Sequence, residues 1–108
     1  MIDLYEQALT IARIIGKNHG YAIALHGSAM RDLDLIAVPW TDTKFSREDF
    51  VTVLVHALEL EFGTQRGCTV GVLGEPEDKP HGRKTWTILL TQHLWIDLSI
   101  TPTGETPC

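Results

Sequence analysis

The sequence predicts an α+β domain in which two helices pack on one mixed, mostly antiparallel sheet of about five strands. Three observations lead there. Two stretches repeat apolar residues at three- and four-residue steps, the signature of amphipathic helices. The remaining ordered stretches are short apolar or alternating runs of strand length. The order is helix, two strands, helix, three strands, with no internal repeat and no composition break that would mark a second domain. At 108 residues the chain has room for one ordinary domain, and 44% hydrophobic residues are enough to fill its core.

Residues 3–17 read as the first helix. Leu4, Ala8, Ile11, Ala12 and Ile15 form one stripe, Glu6, Arg13 and Lys17 fall outside it, and Asn18-His19-Gly20 supplies the stop. Tyr21–His26 is a short apolar strand, and Asp32–Val38 a second that ends at Pro39. The second helix carries the clearest start signal: Ser46 as N-cap, Asp49 three residues on, and Phe45 and Phe50 placed for a hydrophobic staple. Phe50, Val53, Leu54, Ala57, Leu58 and Glu61 run down one side, and Gly63 ends it. A strand is expected over Cys68–Leu73, and Gly74–Gly82 reads as a polar loop. Lys84–Leu90 and Leu94–Ile100 close the fold as a hairpin turning at Thr91-Gln92-His93, with Trp86 and Trp95 expected as neighbours across it. The domain is expected over 1–100, with 101–108 as a flexible tail.

Composition excludes several classes. A net charge of −5 argues against a general nucleic-acid coat, whose affinity comes from Lys and Arg on phosphates. No apolar run reaches the roughly 18–20 residues of a membrane span. The amino end places no basic region before an apolar stretch and so does not read as a signal peptide. Cys68 and Cys108 do not make a disulfide framework, which points to a cytoplasmic setting with Cys68 as a small core residue. The five histidines show no paired metal-ligand spacing, so zinc has no support.

The chemistry concentrates in Leu25-His26-Gly27-Ser28-Ala29-Met30-Arg31-Asp32-Leu33-Asp34-Leu35. On a strand, Asp32 and Asp34 share a face about 6–7 Å apart, while Leu33 and Leu35 point to the core. Two carboxylates held that way repel, and a divalent cation relieves the repulsion; Mg²⁺ favours a few carboxylate oxygens together with phosphate and water. Asp97, alternating with apolar neighbours in Leu94–Ile100, supplies a third. If the strands adjoin, the three converge on a site for metals about 3.5–4 Å apart. The amphipathic-sheet alternative is that Asp-Leu-Asp-Leu is simply a strand with a charged outer face.

This pattern resembles the nucleotidyltransferase fold of the DNA polymerase β superfamily, in its minimal single-domain form, over residues 21–40 and 94–99. There a Gly-Ser after one strand precedes an Asp-x-Asp on the next, and a third Asp comes from a later strand. The resemblance implies that Gly27, Ser28 and Arg31 contact nucleotide phosphates, that Asp32, Asp34 and Asp97 hold Mg²⁺, and that Asp97 assists the attacking hydroxyl. It implies transfer of a nucleoside monophosphate to a hydroxyl of a protein or small molecule. The family usually places several more residues between Gly-Ser and Asp-x-Asp; here only Ala29-Met30-Arg31 intervene. That trimming supports an alternative, a catalytically inert domain of the same fold that works as a protein-binding inhibitor or antitoxin-like partner. The short acidic chain also resembles small phage- and prophage-borne proteins, several of which bind host defence machinery. Either way a protein partner or a homodimer is expected.

Other candidates are weaker. Lys79-Pro80-His81-Gly82-Arg83-Lys84 is the densest basic cluster, able to meet phosphates if it lies near the aspartates, and otherwise a solvated turn. His26 shares the face of Ala22, Ala24 and Ser28 and is a general-base candidate or a structural histidine. Trp40, after Pro39, is the best single anchor for a partner.

Overall fold

The computed structural model describes residues 2–26, 33–41, 45–63, 68–91 and 94–102. Among them are helices α1 (Ile2–His19) and α2 (Arg47–Phe62) and strands β1 (Tyr21–His26), β2 (Leu33–Pro39), β3 (Cys68–Asp78), β4 (Lys84–Thr91) and β5 (Trp95–Ile100). The strands form one five-stranded sheet in the order β1-β2-β5-β4-β3. β2 and β5 run parallel, and the other pairs are antiparallel. The expected α+β architecture, two helices on a mixed and mostly antiparallel sheet, is therefore what the chain adopts.

The alternation of β2, β4 and β5 explains the layering. Leu33, Leu35 and Ala37 of β2, Trp86, Ile88 and Leu90 of β4, and Ile96, Leu98 and Ile100 of β5 are all buried and share the helix side. Tyr5, Ala8 and Ala12 of α1, and Phe50, Val51, Leu54, Leu58 and Phe62 of α2, close that core from below. Each of the Leu, Ile, Val and Phe side chains among them contributes about 1.5–3 kcal/mol by leaving water. The other face of the sheet, carrying Asp34, Ile36, Thr85, Thr87, Trp95, Asp97 and Ser99, has no helix over it among the described residues, and these side chains are half-buried.

Local signals account for the element ends. Gly20 takes φ +88 after α1, a left-handed conformation that suits glycine. Ser46 caps α2 with its Oγ accepting from the Asp49 amide at 3.0 Å. The aromatic pair around that cap is different from the expected staple. Phe50 stacks on Tyr21 at 4.5 Å, and Phe45 meets the His19 ring edge-on at 4.3 Å. The first turn of α2 docks on the start of β1, so each ring finds an α1–β1 partner. On α2 itself, Val51 and Phe62 join the buried set, Val53 and Ala57 are half-buried, and Glu61 is exposed.

Two expectations are corrected. Much of the segment Gly74–Gly82 is not a loop: β3 continues to Asp78, and only Pro80–Gly82 form a short 3-10 turn. β3 is an edge strand, where a proline costs no ladder bond, and its register shifts between Leu73 and Glu77 beside Gly74 at φ +68. The bulge lets a polar, proline-containing sequence stay paired. Trp86 and Trp95 are not neighbours either. Trp86 pairs with Leu98 and is buried under the sheet, whereas Trp95 pairs with Leu89 on the open face. The hairpin register puts them on opposite faces.

Candidate functional site

Asp34 and Asp97 are direct register partners across the parallel β2–β5 pair. Both lie on the open face, because their strand neighbours Leu33, Leu35, Ile96 and Leu98 are the ones turned to the helices. Adjacent strands are about 4.8 Å apart, so the two side chains leave the sheet side by side. The row extends on both sides. His26 of β1 is opposite Asp34, and Thr87 of β4 is opposite Asp97. The Thr87 hydroxyl donates to Asp97 Oδ1 at 3.3 Å, and one row along, Thr85 and Ser99 share a hydrogen bond of 2.8 Å. Hydroxyls thus line one flank of the carboxylate pair, while His26, exposed, stands at the other.

The expected site residues divide into two groups. Asp34 and Asp97 are brought together as register partners. Gly27, Ser28, Arg31 and Asp32 lie outside the described residues; they belong to the connection between His26 and Leu33. Cys108 also lies outside them, as does the side chain of Cys68. The basic cluster does not join the aspartates. Lys84 pairs with Ile100, at the far end of β5 from Trp95, and its ammonium reaches toward Glu48 at 3.9 Å on the helix side. Arg47 pins the same turn, donating to the Gly82 carbonyl at 2.6 Å. This cluster ties the β3–β4 turn to the start of α2, so the phosphate role considered for it at the aspartates is withdrawn. A groove of about 350 Å³ between α1 and α2, lined by Glu6, Gln7, Thr10, Ile11 and Glu61, is likewise on the helix side of the sheet, away from the carboxylates.

Thr87 was not singled out in the sequence. The signal that would have found it is the alternation Thr85-Trp86-Thr87-Ile88 combined with the hairpin turn, where the Leu94 amide donates to Thr91 Oγ1 and the Thr91 amide to the Leu94 carbonyl. Counting back from that turn puts Thr87 opposite Asp97. Trp40 is 59% exposed, as a partner anchor requires, and sits close to Val38, also exposed.

The donor chemistry suits a hard divalent cation. Asp34 and Asp97 offer carboxylate oxygens only, the ligands Mg²⁺ takes, with phosphate and water completing its octahedron. Among the described residues there is no group of three His, Cys, Asp or Glu placed to hold a metal by themselves. A cation here would need Asp32 or a bound phosphate as its further ligand. No described helix is long and apolar enough to cross a membrane. Comparison with protein-family models, with curated proteins and with solved structures gives no match for this chain.

Proposed function

We propose that this chain is a minimal nucleotidyltransferase-like protein that moves a nucleoside monophosphate from a triphosphate to a hydroxyl of a protein or small-molecule acceptor. The observation that carries the reading is the in-register Asp34–Asp97 pair on the open face of the sheet, at the end where the Gly27-Ser28 to Asp32 connection begins and returns. Asp32 and Asp34, with Asp97, would hold Mg²⁺, which supplies neutralising charge to the phosphates when bound. Gly27, Ser28 and Arg31 hold the triphosphate by amide, hydroxyl and guanidinium donors. Asp97 accepts the acceptor hydroxyl's proton, and the Thr87 hydroxyl fixes the orientation of that carboxylate. The acceptor oxygen forms its bond to the α-phosphorus as the bond to the β-phosphate bridge breaks, and pyrophosphate leaves with the electron pair.

The test is thermal unfolding and nucleotide binding with and without Mg²⁺, for the native chain and for Asp34→Ala. The reading expects the native chain to be stabilised by Mg²⁺ with a nucleoside triphosphate and the variant to lose that response. If neither Mg²⁺ nor any nucleoside triphosphate moves the melting temperature, transfer is ruled out. A second reading, an inert domain of this shape that binds a protein, is favoured by Trp40 and Val38 exposed together at one end of β2. It predicts an unchanged melting curve with nucleotide and loss of partner binding in Trp40→Ala.

A further inference from the structure

The two edges of the sheet are built differently. β3 carries what natural proteins use to keep a strand edge from pairing with another chain: register shifts at two places, Pro76, and the charges of Glu75, Glu77 and Asp78. β1 carries none of these. Its sequence, Tyr21-Ala22-Ile23-Ala24-Leu25-His26, has no proline and no Asp, Glu, Lys or Arg, and it pairs with β2 from end to end without a bulge. Among the described residues, only its start is covered. A Cβ at Gly16 would fall 2.8 Å from the Tyr21 carbonyl oxygen and 2.9 Å from Ile23 Cγ1, so α1 lies hard against that end. Past it Ala24, Leu25 and His26 are exposed, Leu25 to 43% despite being apolar.

The register says which backbone groups face outward. The Trp40 amide donates to the Gly20 carbonyl at 3.1 Å, and Tyr21 opposite Pro39 puts Gly20 opposite Trp40. Antiparallel strands alternate bonded and non-bonded pairs. Ala22, Ala24 and His26 therefore spend their N–H and C=O groups on β2. Ile23 and Leu25 turn theirs away from it, toward the open edge.

We infer that this edge joins two copies of the chain, β1 running antiparallel to β1 of a second copy about a two-fold axis through Ala24. An axis perpendicular to the sheet keeps each face on its own side, so residues of like parity must meet. Ala24 faces Ala24 of the second copy, and Ile23 exchanges its N–H and C=O bonds with Leu25 of the second copy. The alternative centre at Ile23 would require the edge of Tyr21, which α1 covers. The Ala24 register draws on the outward groups of Ile23 and Leu25 and leaves the covered Tyr21 carbonyl out of the pairing, and it buries Leu25 against Ile23 of the second copy. A second copy is the fitting occupant because the edge is self-complementary and carries no Asp, Glu, Lys or Arg, so the paired strands oppose no like charges. The result is one sheet running through both copies, with both Asp34–Asp97 pairs on the same face. A contact this short buries less than the roughly 1,200 Å² of a permanent interface, so the dimer forms with rising concentration.

Sedimentation velocity from micromolar to millimolar protein, with amide hydrogen exchange followed by NMR at both limits, tests this. The native chain shifts from monomer to dimer. Ile23 and Leu25 amides exchange fast when dilute and slowly when concentrated, while Ala22 and Ala24 are slow at both. Leu25→Lys, which puts a charge into the paired edge, and Leu25→Pro, which removes an outward N–H, stay monomeric at every concentration. Leu60→Lys, removing a 72%-exposed apolar side chain from α2, leaves the dimer as it was. A native chain that is monomeric throughout overturns the inference. So does a dimer in which Ile23 and Leu25 amides stay unprotected, a result read on the native chain whatever the folding of the variants.

Discussion

Replacing Asp34 by Asn removes one of two carboxylates that the parallel β2–β5 register holds side by side. With strands about 4.8 Å apart, two like charges at about 5 Å repel by about 0.8 kcal/mol in water and about 3 kcal/mol at an effective dielectric of 20. Both aspartates are half-buried on a face open to solvent, so the lower part of that range applies, about 1 kcal/mol. Asn keeps the size of the side chain, and the Thr87 hydroxyl donates to Asp97 rather than to Asp34, so that bond survives. The expected result, in chelator and low salt, is an Asp34→Asn protein about 1 kcal/mol more stable than the native chain. For a domain of this size that is a melting temperature higher by about 4–8 °C. The gain shrinks in 1 M salt, where the screening length falls to about 3 Å. Under the proposed function, adding Mg²⁺ with a nucleoside triphosphate reverses the order, because a bound ligand would stabilise the native chain and not the variant. Circular dichroism melts in chelator at two salt concentrations, repeated with Mg²⁺ and nucleotide, read every part of this. A variant that melts below the native chain in chelator and low salt would refute the reasoning, since the Asp34 carboxylate would then be in a favourable contact rather than facing Asp97.

Three further outcomes are expected, each read by urea unfolding. Ser46→Ala removes the acceptor for the Asp49 amide and destabilises by about 1 kcal/mol, whereas a neutral result would mean that solvent replaces the cap without cost. Gly16→Ala destabilises by about 1–3 kcal/mol even though alanine is the better helix former, because its Cβ meets the Tyr21 backbone oxygen, which cannot swing aside; a stabilised variant would show that α1 can shift away from β1. Leu98→Ala, at a fully buried position in the central strands, costs about 2–5 kcal/mol, while Leu60→Ala on the exposed side of α2 stays within about 0.5 kcal/mol. Equal losses at the two positions would contradict the placement of the core.

Much of this fold is written in local signals. The stripe from Leu4 to Ile15, the Ser46 cap and the alternation in Leu33–Ala37 each depend on residues within a turn or two of one another, and each corresponds to the element found. The errors arise where the determining partner is distant. Gly74-Glu75-Pro76-Glu77-Asp78 has loop composition, and only its position at an edge, beside the regular β4, keeps it in the sheet. Trp86 and Trp95 look symmetrical about the hairpin turn, yet the turn's register pairs Trp86 with Leu98 and so separates them by a face.

The carboxylate pair shows where the boundary falls. Alternation alone places Asp34 and Asp97 each on the outward face of its own strand, because Leu33, Leu35, Ile96 and Leu98 claim the inward one. It cannot say that the two strands touch. That depends on β5, the last strand in the chain, entering between β2 and β4 rather than adding at an edge. The reason it does so is in its composition: Ile96, Leu98 and Ile100 are wholly buried, and the other side of the strand bears Trp95, Asp97 and Ser99, half-covered by neighbours on both sides. A strand so apolar is more stable with a partner on each side than at a solvent edge, and the place beside β2 is the one that pairs it in parallel. Once β5 is central, Asp97 has strands on both flanks and can turn only outward from the face, next to Asp34 on one side and under the Thr87 hydroxyl on the other. The burial that stabilises the centre of the sheet is therefore also what sets the Asp34 and Asp97 carboxylates side by side on its open face.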